Sequence, residues 1–298
     1  MNHNVSPEGA VSISRSRVTD YITLMKPELT LLSVCTALVS CFMAAWGTFP
    51  LVPLLDVFVG TLLIGAGAGA LNQYIERDFD AMMRRTENRP LPAGRLSRNE
   101  ALVFGSTLSM AGVVFLFLTT NLLAAFLGAT TLVSYVFLYT PLKRITPFST
   151  VIGGIPGALP PVIGWTAVRG EITVEALVLF GILFLWQMPH FYSLAWMYRK
   201  DYERAGYPML TVLDESGQKT SIQILIHSAL LIPVSILLTL TSTTGTVYGV
   251  SALIIGILFF IAACRLFKLR TNGAARTVFF ASLIYLPLLM FLMAIDKL

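Results

Sequence analysis

Three residues that can bind a metal ion follow one another at intervals of four. They are Asn72, Glu76 and Asp80, within the stretch NQYIERDFDAMMRRTENRPLP. On an α-helix this spacing places the three side chains on one face, and Asp78 then points away from it. Carboxylates four residues apart repel each other, so a positive charge is expected between them. That charge is either Arg84, one turn beyond Asp80, or a divalent cation such as Mg²⁺, which proteins often hold with one or two carboxylates together with substrate phosphates.

The same stretch and the neighbouring loops contain more positive charge than the carboxylates need. Some of it must be the ordinary basic excess of loops on one side of a membrane. Acids mixed with a surplus of bases nevertheless favour a polyanion, because Arg and Lys bind phosphate oxygens well. We therefore expect a diphosphate held through Mg²⁺. The candidate diphosphate-binding residues are Arg77, Arg84, Arg85, Arg89, Lys143, Arg144 and Lys200.

The elements that position these residues are predicted to be membrane-spanning helices. Of the 298 residues, 55% are apolar and 12% are charged, against about 25% charged residues in an ordinary soluble domain. Runs of about 20 apolar residues can cross the hydrocarbon core as helices. The sequence thus predicts an all-α, polytopic membrane protein with nine transmembrane helices, near 29–47, 57–75, 101–119, 122–140, 149–168, 174–196, 221–240, 247–264 and 277–295.

The distribution of basic residues predicts the orientation of these helices. All but two of the 21 Lys and Arg residues, Arg169 and Lys297, fall in alternate connections on one side. Cytoplasmic segments carry such an excess, so we expect a cytoplasmic N-terminus and a C-terminus on the opposite side. The net charge of +5 then reflects topology, and no nucleic-acid partner is indicated. Residues 1–28 are predicted to be a cytoplasmic tail and 29–298 a single domain. Because the tail is short and lacks an acid-free, Arg-rich presequence, a bacterial inner membrane is expected.

Polar and aromatic residues inside the sixth predicted helix form a second candidate region. In WQMPHFYSLAW, Pro189 is expected to kink the helix, and a polar side chain at this depth normally faces the protein interior. His190 could ligate iron, carry a proton or only form a hydrogen bond. Inward-facing aromatic rings, such as those of Trp186 and Phe191, could stabilise a carbocation.

The glycine-rich segments and the cysteine residues of the apolar runs are candidates for helix packing. The repeat Gly65-Ala-Gly-Ala-Gly-Ala looks like a phosphate loop, but it lies inside an apolar helix, where small residues allow close helix packing. The segment 153–161, GGIPGALPP, either opens the backbone next to a cavity or only packs. Cys35, Cys41 and Cys264 show no metal-binding spacing and are expected to pack as small apolar residues.

Together these motifs resemble a known family. NQYIERDFDAMMRRTENRPLPAG is similar to the first Asp-rich motif of the UbiA-type intramembrane prenyltransferases. YTPLKR (139–144), GALPPVIGW (157–165), WQMPHFYSLAW (186–196) and KDYERAGYPML (200–210) extend the resemblance over nearly the whole chain. The last two segments point to the heme-modifying branch rather than to quinone prenylation. The resemblance implies nine helices around a central cavity that opens to the cytoplasmic side.

The resemblance also implies roles for individual residues. Asn72, Glu76 and Asp80 correspond to the metal–diphosphate motif. Tyr139 and Lys143 match a Tyr and a Lys that approach the diphosphate and act in catalysis. Asp201 begins the second Asp motif and is a further expected metal ligand and catalytic residue. The usual second acid of that motif is replaced by Ala205.

The implied reaction is transfer of a farnesyl group from farnesyl diphosphate to a vinyl group of heme b, giving heme O, with Mg²⁺ as cofactor. His190 is then the candidate axial ligand of the heme. The lipid bilayer, and a heme A synthase or a terminal-oxidase assembly, are the expected partners. Two alternatives stay open: a prenyltransferase acting on an aromatic quinone precursor, and a non-enzymatic heme transport or assembly protein.

Overall fold

The computed structural model describes residues 16–47 and 49–298, which fold into helices joined by short connections. Nine helices in this part of the chain are long and apolar enough to cross a membrane, which confirms the all-α, multi-pass prediction. The helices are α1 (Arg17–Leu24), α2 (Pro27–Ala44), α3 (Leu51–Asp80), α4 (Arg98–Thr119), α5 (Leu122–Val133), α6 (Thr140–Leu142), α7 (Ser149–Arg169), α8 (Val174–Met197), α9 (Arg199–Arg204), α10 (Leu210–Leu213), α11 (Gln218–Leu240), α12 (Thr246–Leu269) and α13 (Asn272–Ile295). The spanning helices are α2, α3, α4, α5 together with α6, α7, α8, α11, α12 and α13.

The first two spanning helices differ from their predicted bounds. The first ends at Ala44 because Ala45 has extended backbone angles and Gly47 a φ of +81°. The second reaches from Leu51 to Asp80, well beyond the apolar run 57–75. Its polar last turns stay helical because they are buried against other elements of the protein. Most of the residues predicted as a tail, 1–15, lie outside the described part, while residues 17–24 form α1.

The third and fourth spanning helices form the expected hairpin. Asn121 separates them: its side chain accepts a hydrogen bond from the backbone N–H of Ala124 at 2.9 Å, which caps α5. The Asn121 amide also donates to the carbonyl of Thr166 on α7 at 2.7 Å. One side chain therefore starts α5 and holds it against α7.

Small residues allow the helices of the bundle to pack closely. A Cβ added at Gly67 of α3 would lie 2.2 Å from Oγ of Ser109 on α4. A Cβ added at Gly164 of α7 would lie 1.9 Å from the carbonyl oxygen of Ala37 on α2. The packing role expected for the glycine repeat is thus confirmed at Gly67. Gly65 and Gly69 of the same repeat also line a cavity.

The cavity lies between α2, α3, α5, α7 and α8. Helix α4 packs against α3 and α5, while α11 and α13 pack against α8 and α12 packs against both of them. Between α5 and α6, residues 134–139 form a π-helix, a rare form that often occurs at functional sites. Residues 81–97, 143–148 and 198–217 cover the end of the bundle reached by the C-terminus of α3. We call this end the basic end.

Candidate active site

The predicted metal-binding face of α3 is buried in the folded protein. Asn72, Glu76 and Asp80 are 0%, 3% and 0% exposed, and all three belong to one unbroken helix. Asp78 is exposed and pairs with the neighbouring Arg77, so it points away from this face as expected. We call Asn72, Glu76 and Asp80 the carboxylate face. Burial of two carboxylates requires positive partners, because an unpaired buried charge is very costly.

Glu76 pairs with Lys143, which follows α6 in the chain. The Lys143 ammonium donates to Oε1 of Glu76 at 2.7 Å. It also lies 5.1 Å from the ring centre of Tyr139 and 5.7 Å from that of Tyr207. Burial acts to lower the pKa of Lys143, but the Glu76 carboxylate raises it, and the net pKa lies well above its usual value. Lys143 is therefore charged at neutral pH.

Asp80 pairs with Arg89 and not with the nearer Arg84. One Arg89 nitrogen donates to Oδ2 of Asp80 at 2.7 Å, whereas Arg84 is exposed. The prediction of Arg84 as the local partner is wrong because α3 ends at Asp80, and the following turns return residue 89 to the helix end. The other carboxylate oxygen, Oδ1, is buried and has no hydrogen-bond partner among the described residues, which leaves one acceptor free for a ligand.

Lys26 also reaches the carboxylate face, and the sequence reasoning missed it. It lies just before α2, and its ammonium donates to the side-chain oxygen of Asn72. The Asn72 amide donates in turn to the hydroxyl of Thr140 at 3.0 Å. Burial, and after it the positive charge of Arg89, lowers the pKa of Lys26 to about 7. The only sequence signal was its position beside the first apolar run, where a basic residue has an ordinary topological explanation.

The other predicted basic residues make different contacts. Arg144 donates to the carbonyl of Ile75 at 2.7 Å and stacks over the Phe79 ring at 3.9 Å, and Arg85 lies over the Tyr198 ring. Arg84 and Lys200 are exposed. The structure therefore brings three basic side chains to the carboxylate face, namely Lys26, Arg89 and Lys143, and leaves the rest around the basic end.

Asp201 is not joined to the carboxylate face in a larger acidic cluster. It lies in α9, with its side chain 14% exposed, 3.7 Å from Arg204. Among the described residues, no group of three or more His, Cys, Asp or Glu side chains is arranged to hold a metal ion. The expected role of Asp201 as a metal ligand stays a prediction. From the same region, Tyr207 approaches Lys143, and the buried Tyr207 hydroxyl has no hydrogen-bond partner in residues 16–47 and 49–298.

A large apolar cavity adjoins the carboxylate face. It contains about 1200 Å³ of empty space, including its open mouth. Lys26 and Tyr139 line its polar end, and Trp186 and Phe191 also line it. Within the π-helix, the rings of Tyr135 and Tyr139 lie 5.5 Å apart, and both face the cavity.

His190 is not among the residues that line this cavity. Its Nδ1 lies 2.8 Å from the hydroxyl of Ser282 on α13, and its ring stacks between Trp186 and Phe279. Of the three roles left open by the sequence, this geometry favours hydrogen bonding between α8 and α13. Its role as an axial heme ligand stays a prediction, and it would require the ring to leave this stack.

Comparison with known proteins places this architecture in a family. The model of the UbiA prenyltransferase family matches residues 33–291. A protoheme IX farnesyltransferase of Solibacter usitatus is 49% identical over 287 residues, covering 93% of this chain and 98% of the relative.

Two solved structures share the fold at low sequence identity. The structure described as "Structural and mechanistic insights into the biosynthesis of Digeranylgeranylglyceryl phosphate synthase in membranes" has a TM-score of 0.79 at 18% identity, covering 94% of this chain and 98% of that one. A UbiA homolog from Archaeoglobus fulgidus, bound to GPP and Mg²⁺, has a TM-score of 0.67 at 15% identity, covering 92% and 99%. The match of the family model over most of the chain, together with the identity to a full-length relative, shows that the chain belongs to the UbiA prenyltransferase family.

Proposed function

We propose that this protein transfers the farnesyl group of farnesyl diphosphate to a vinyl group of heme b, giving heme O. The observation that carries the proposal is a buried carboxylate face, contacted by three basic side chains, at the polar end of a large apolar cavity. A prenyl diphosphate has the matching chemistry, with a charged head and a long apolar tail. The name of the Solibacter usitatus relative supports farnesyl as the transferred group and heme as the acceptor.

The residues at the polar end fit Mg²⁺ bound together with a diphosphate. Asn72, Glu76 and Asp80 would hold the ion, since they offer the oxygen ligands that Mg²⁺ prefers. The unpartnered Oδ1 of Asp80 supplies a free ligand atom. The related A. fulgidus protein was solved with Mg²⁺ and GPP, which supports the same pairing here. When bound, the ion supplies positive charge that favours departure of the diphosphate.

Lys26, Arg89 and Lys143 are proposed to bind the diphosphate oxygens. In the reaction the C1–O bond of farnesyl diphosphate breaks, and its electron pair stays on the diphosphate. Preorganised cations in a buried site stabilise such developing charge strongly. Glu76 and Asp80 already hold two of these cations, so little reorganisation is needed when the substrate binds.

The apolar cavity is proposed to hold the farnesyl chain and protect the allylic cation. Its largely apolar wall keeps out bulk water, which would otherwise capture the cation before the acceptor does. The ring faces of Tyr135 and Tyr139, at the polar end, stabilise positive charge through their π electrons. The heme vinyl group then attacks C1 as a π nucleophile, and water adds to complete the hydroxyethylfarnesyl side chain.

The setting of this reaction is proposed to be a bacterial inner membrane. With the positive-inside rule, the basic end faces the cytoplasm, the N-terminus is cytoplasmic and the C-terminus lies on the other side. Farnesyl diphosphate then enters from the cytoplasm while its tail lies among the helices. A heme A synthase or a terminal-oxidase assembly stays the predicted protein partner.

The test is mass spectrometry of heme extracted after the purified protein is incubated with heme b and farnesyl diphosphate, with Mg²⁺ or with a chelator. We expect farnesylated heme only in the presence of the metal ion. Unmodified heme together with prenylation of an aromatic quinone precursor would rule out heme as the acceptor but would still support the proposed metal–diphosphate site. No reaction with either acceptor would favour the transport or assembly alternatives.

A further inference from the structure

Gln187 places a polar group in the otherwise apolar wall of the cavity. The residue belongs to α8, is 2% exposed and lines the cavity. Its amide nitrogen donates to the carbonyl of Gly154 on α7 at 2.7 Å, which fixes the orientation of the amide. The amide oxygen, Oε1, faces Gly157, where an added Cβ would lie 2.3 Å from it. Within the described part of the chain, no hydrogen-bond donor reaches Oε1.

The backbone of α7 adds further acceptors beside this oxygen. Pro160 and Pro161 lie inside the helix and have no N–H. The carbonyls of Pro156 and Gly157 therefore lose the donor that an α-helix would supply four residues on. Both residues line the same cavity. Buried acceptors need donors, and a water molecule is the natural donor in a space that is roomy and locally polar.

These acceptors lie next to the polar end of the cavity. The ring of Tyr139 packs against Gly153, where an added Cβ would come within 2.4 Å of the ring, and Gly153 adjoins Gly154. The Lys143 ammonium lies 5.1 Å from the centre of the same Tyr139 ring and pairs with Glu76. Gln187 is thus connected to the carboxylate face through Tyr139 and Lys143. We expect the first carbons of the farnesyl chain on this side of the cavity.

We propose that Gln187, with the carbonyls of Pro156 and Gly157, binds the water molecule whose oxygen is added to the heme side chain; this inference rests on the proposed function. After the vinyl group bonds to C1 of the farnesyl chain, the carbon attached to the porphyrin ring is positively charged. Water donates a lone pair to that carbon and forms the C–O bond. One water proton then leaves to the released diphosphate, while its electron pair stays on the new hydroxyl oxygen.

The amide oxygen of Gln187 and the carbonyl oxygens of Pro156 and Gly157 have two effects in this step. It binds the hydrogens of the water molecule, so that an oxygen lone pair faces the cation. Its oxygen dipoles also favour positive charge nearby. Without an oriented water molecule, the same cation loses a proton from the adjacent carbon and gives an alkene. The product is then lighter by one water molecule, so the product ratio reports this role directly.

The experiment compares the wild-type protein with Gln187→Met, which keeps the side-chain length but removes the hydrogen bonds. Reactions contain heme b, farnesyl diphosphate, Mg²⁺ and ¹⁸O-labelled water, and products are separated by mass. We expect the ratio of alkene to labelled alcohol to rise about tenfold, as the loss of one good hydrogen bond allows. The matched control, Leu183→Met, changes the cavity wall one turn away on α8 and is expected to keep the wild-type ratio.

A lower turnover of Gln187→Met with an unchanged product ratio would overturn the inference, because Gln187 would then serve only to pack α8 against α7. If Gln187→Met fails to fold, Gly157→Ala decides, since its methyl group displaces Oε1: a raised ratio supports the water site and an unchanged ratio removes it. Failure of the proposed function is distinct, because the wild-type protein would then make neither the alcohol nor the alkene.

Discussion

Replacement of Asp80 by Asn tests the carboxylate face most directly. The Asp80 side chain is 1% exposed, with one oxygen on Arg89 at 2.7 Å and the other unpartnered. Asn keeps the size but removes the charge that would bind Mg²⁺ and balance Arg89. Loss of one preorganised electrostatic contact in a buried site costs about 10²–10³-fold in kcat. We expect at least this loss, measured as farnesylated heme formed per minute under saturating substrates.

Asp78→Asn is the matched control, because it makes the same change two residues away on the same helix. The Asp78 side chain is 69% exposed and pairs only with Arg77 at 2.6 Å. An exposed ion pair contributes about 0–1 kcal/mol, so turnover should change less than about fivefold. The reasoning is refuted if Asp80→Asn, correctly inserted, keeps more than about a tenth of wild-type turnover, or if both variants lose activity equally.

Three further predictions concern the site and its framework. Lys143→Met should lower kcat about 10²–10³-fold, and an effect on KM alone would contradict a role in leaving-group departure. Gly164→Ala forces a methyl group against α2 and should destabilise the protein by about 1–3 kcal/mol in thermal unfolding; Gly273→Ala, with no atom within 4 Å, should not. The third prediction concerns Asp214. Burial acts to raise the pKa of Asp214, but hydrogen bonds from Thr220 and Ser216 hold it below its usual value. Its stabilisation is therefore present above about pH 4 and is lost as the pH falls through the folded-state pKa. Asp214→Ala removes these hydrogen bonds and should destabilise the protein by about 1 kcal/mol at neutral pH. The difference in stability from wild type should shrink below pH 4, and a difference that stays constant there would contradict this role of Asp214.

The helices and the carboxylate face could be predicted from sequence because both depend on local periodicity. An apolar run of about 20 residues is a membrane span regardless of its neighbours. A spacing of four places Asn72, Glu76 and Asp80 on one face wherever the helix lies. The residue at which α3 ends could not be predicted from local sequence, since the last turns of the helix stay helical through burial against other elements.

The partners of the carboxylate face could not be predicted in this way. Arg84 was named as the local alternative to a metal ion because it lies one turn beyond Asp80 in the sequence, but the turns after α3 bring Arg89 to Asp80 instead. Lys26 lies 46 residues from Asn72 in the chain, so the contact between them exists only after α2 packs beside α3. The side of α8 that faces the cavity was equally undetermined, because Gln187 and His190 are both polar and both buried, yet of the two it is Gln187 that lines the cavity.

The sequence by itself thus determined a nine-helix membrane protein, the acidic face and the family resemblance, all of which depend on residues close in the chain or on motif order. Only the tertiary structure decided which cations meet that face, that Gln187 lines the cavity, and that His190 packs between α8 and α13. These depend on which of several equally apolar helix faces pack together. That choice is made by contacts between small residues, such as Gly164 against Ala37, that lie far apart in the chain.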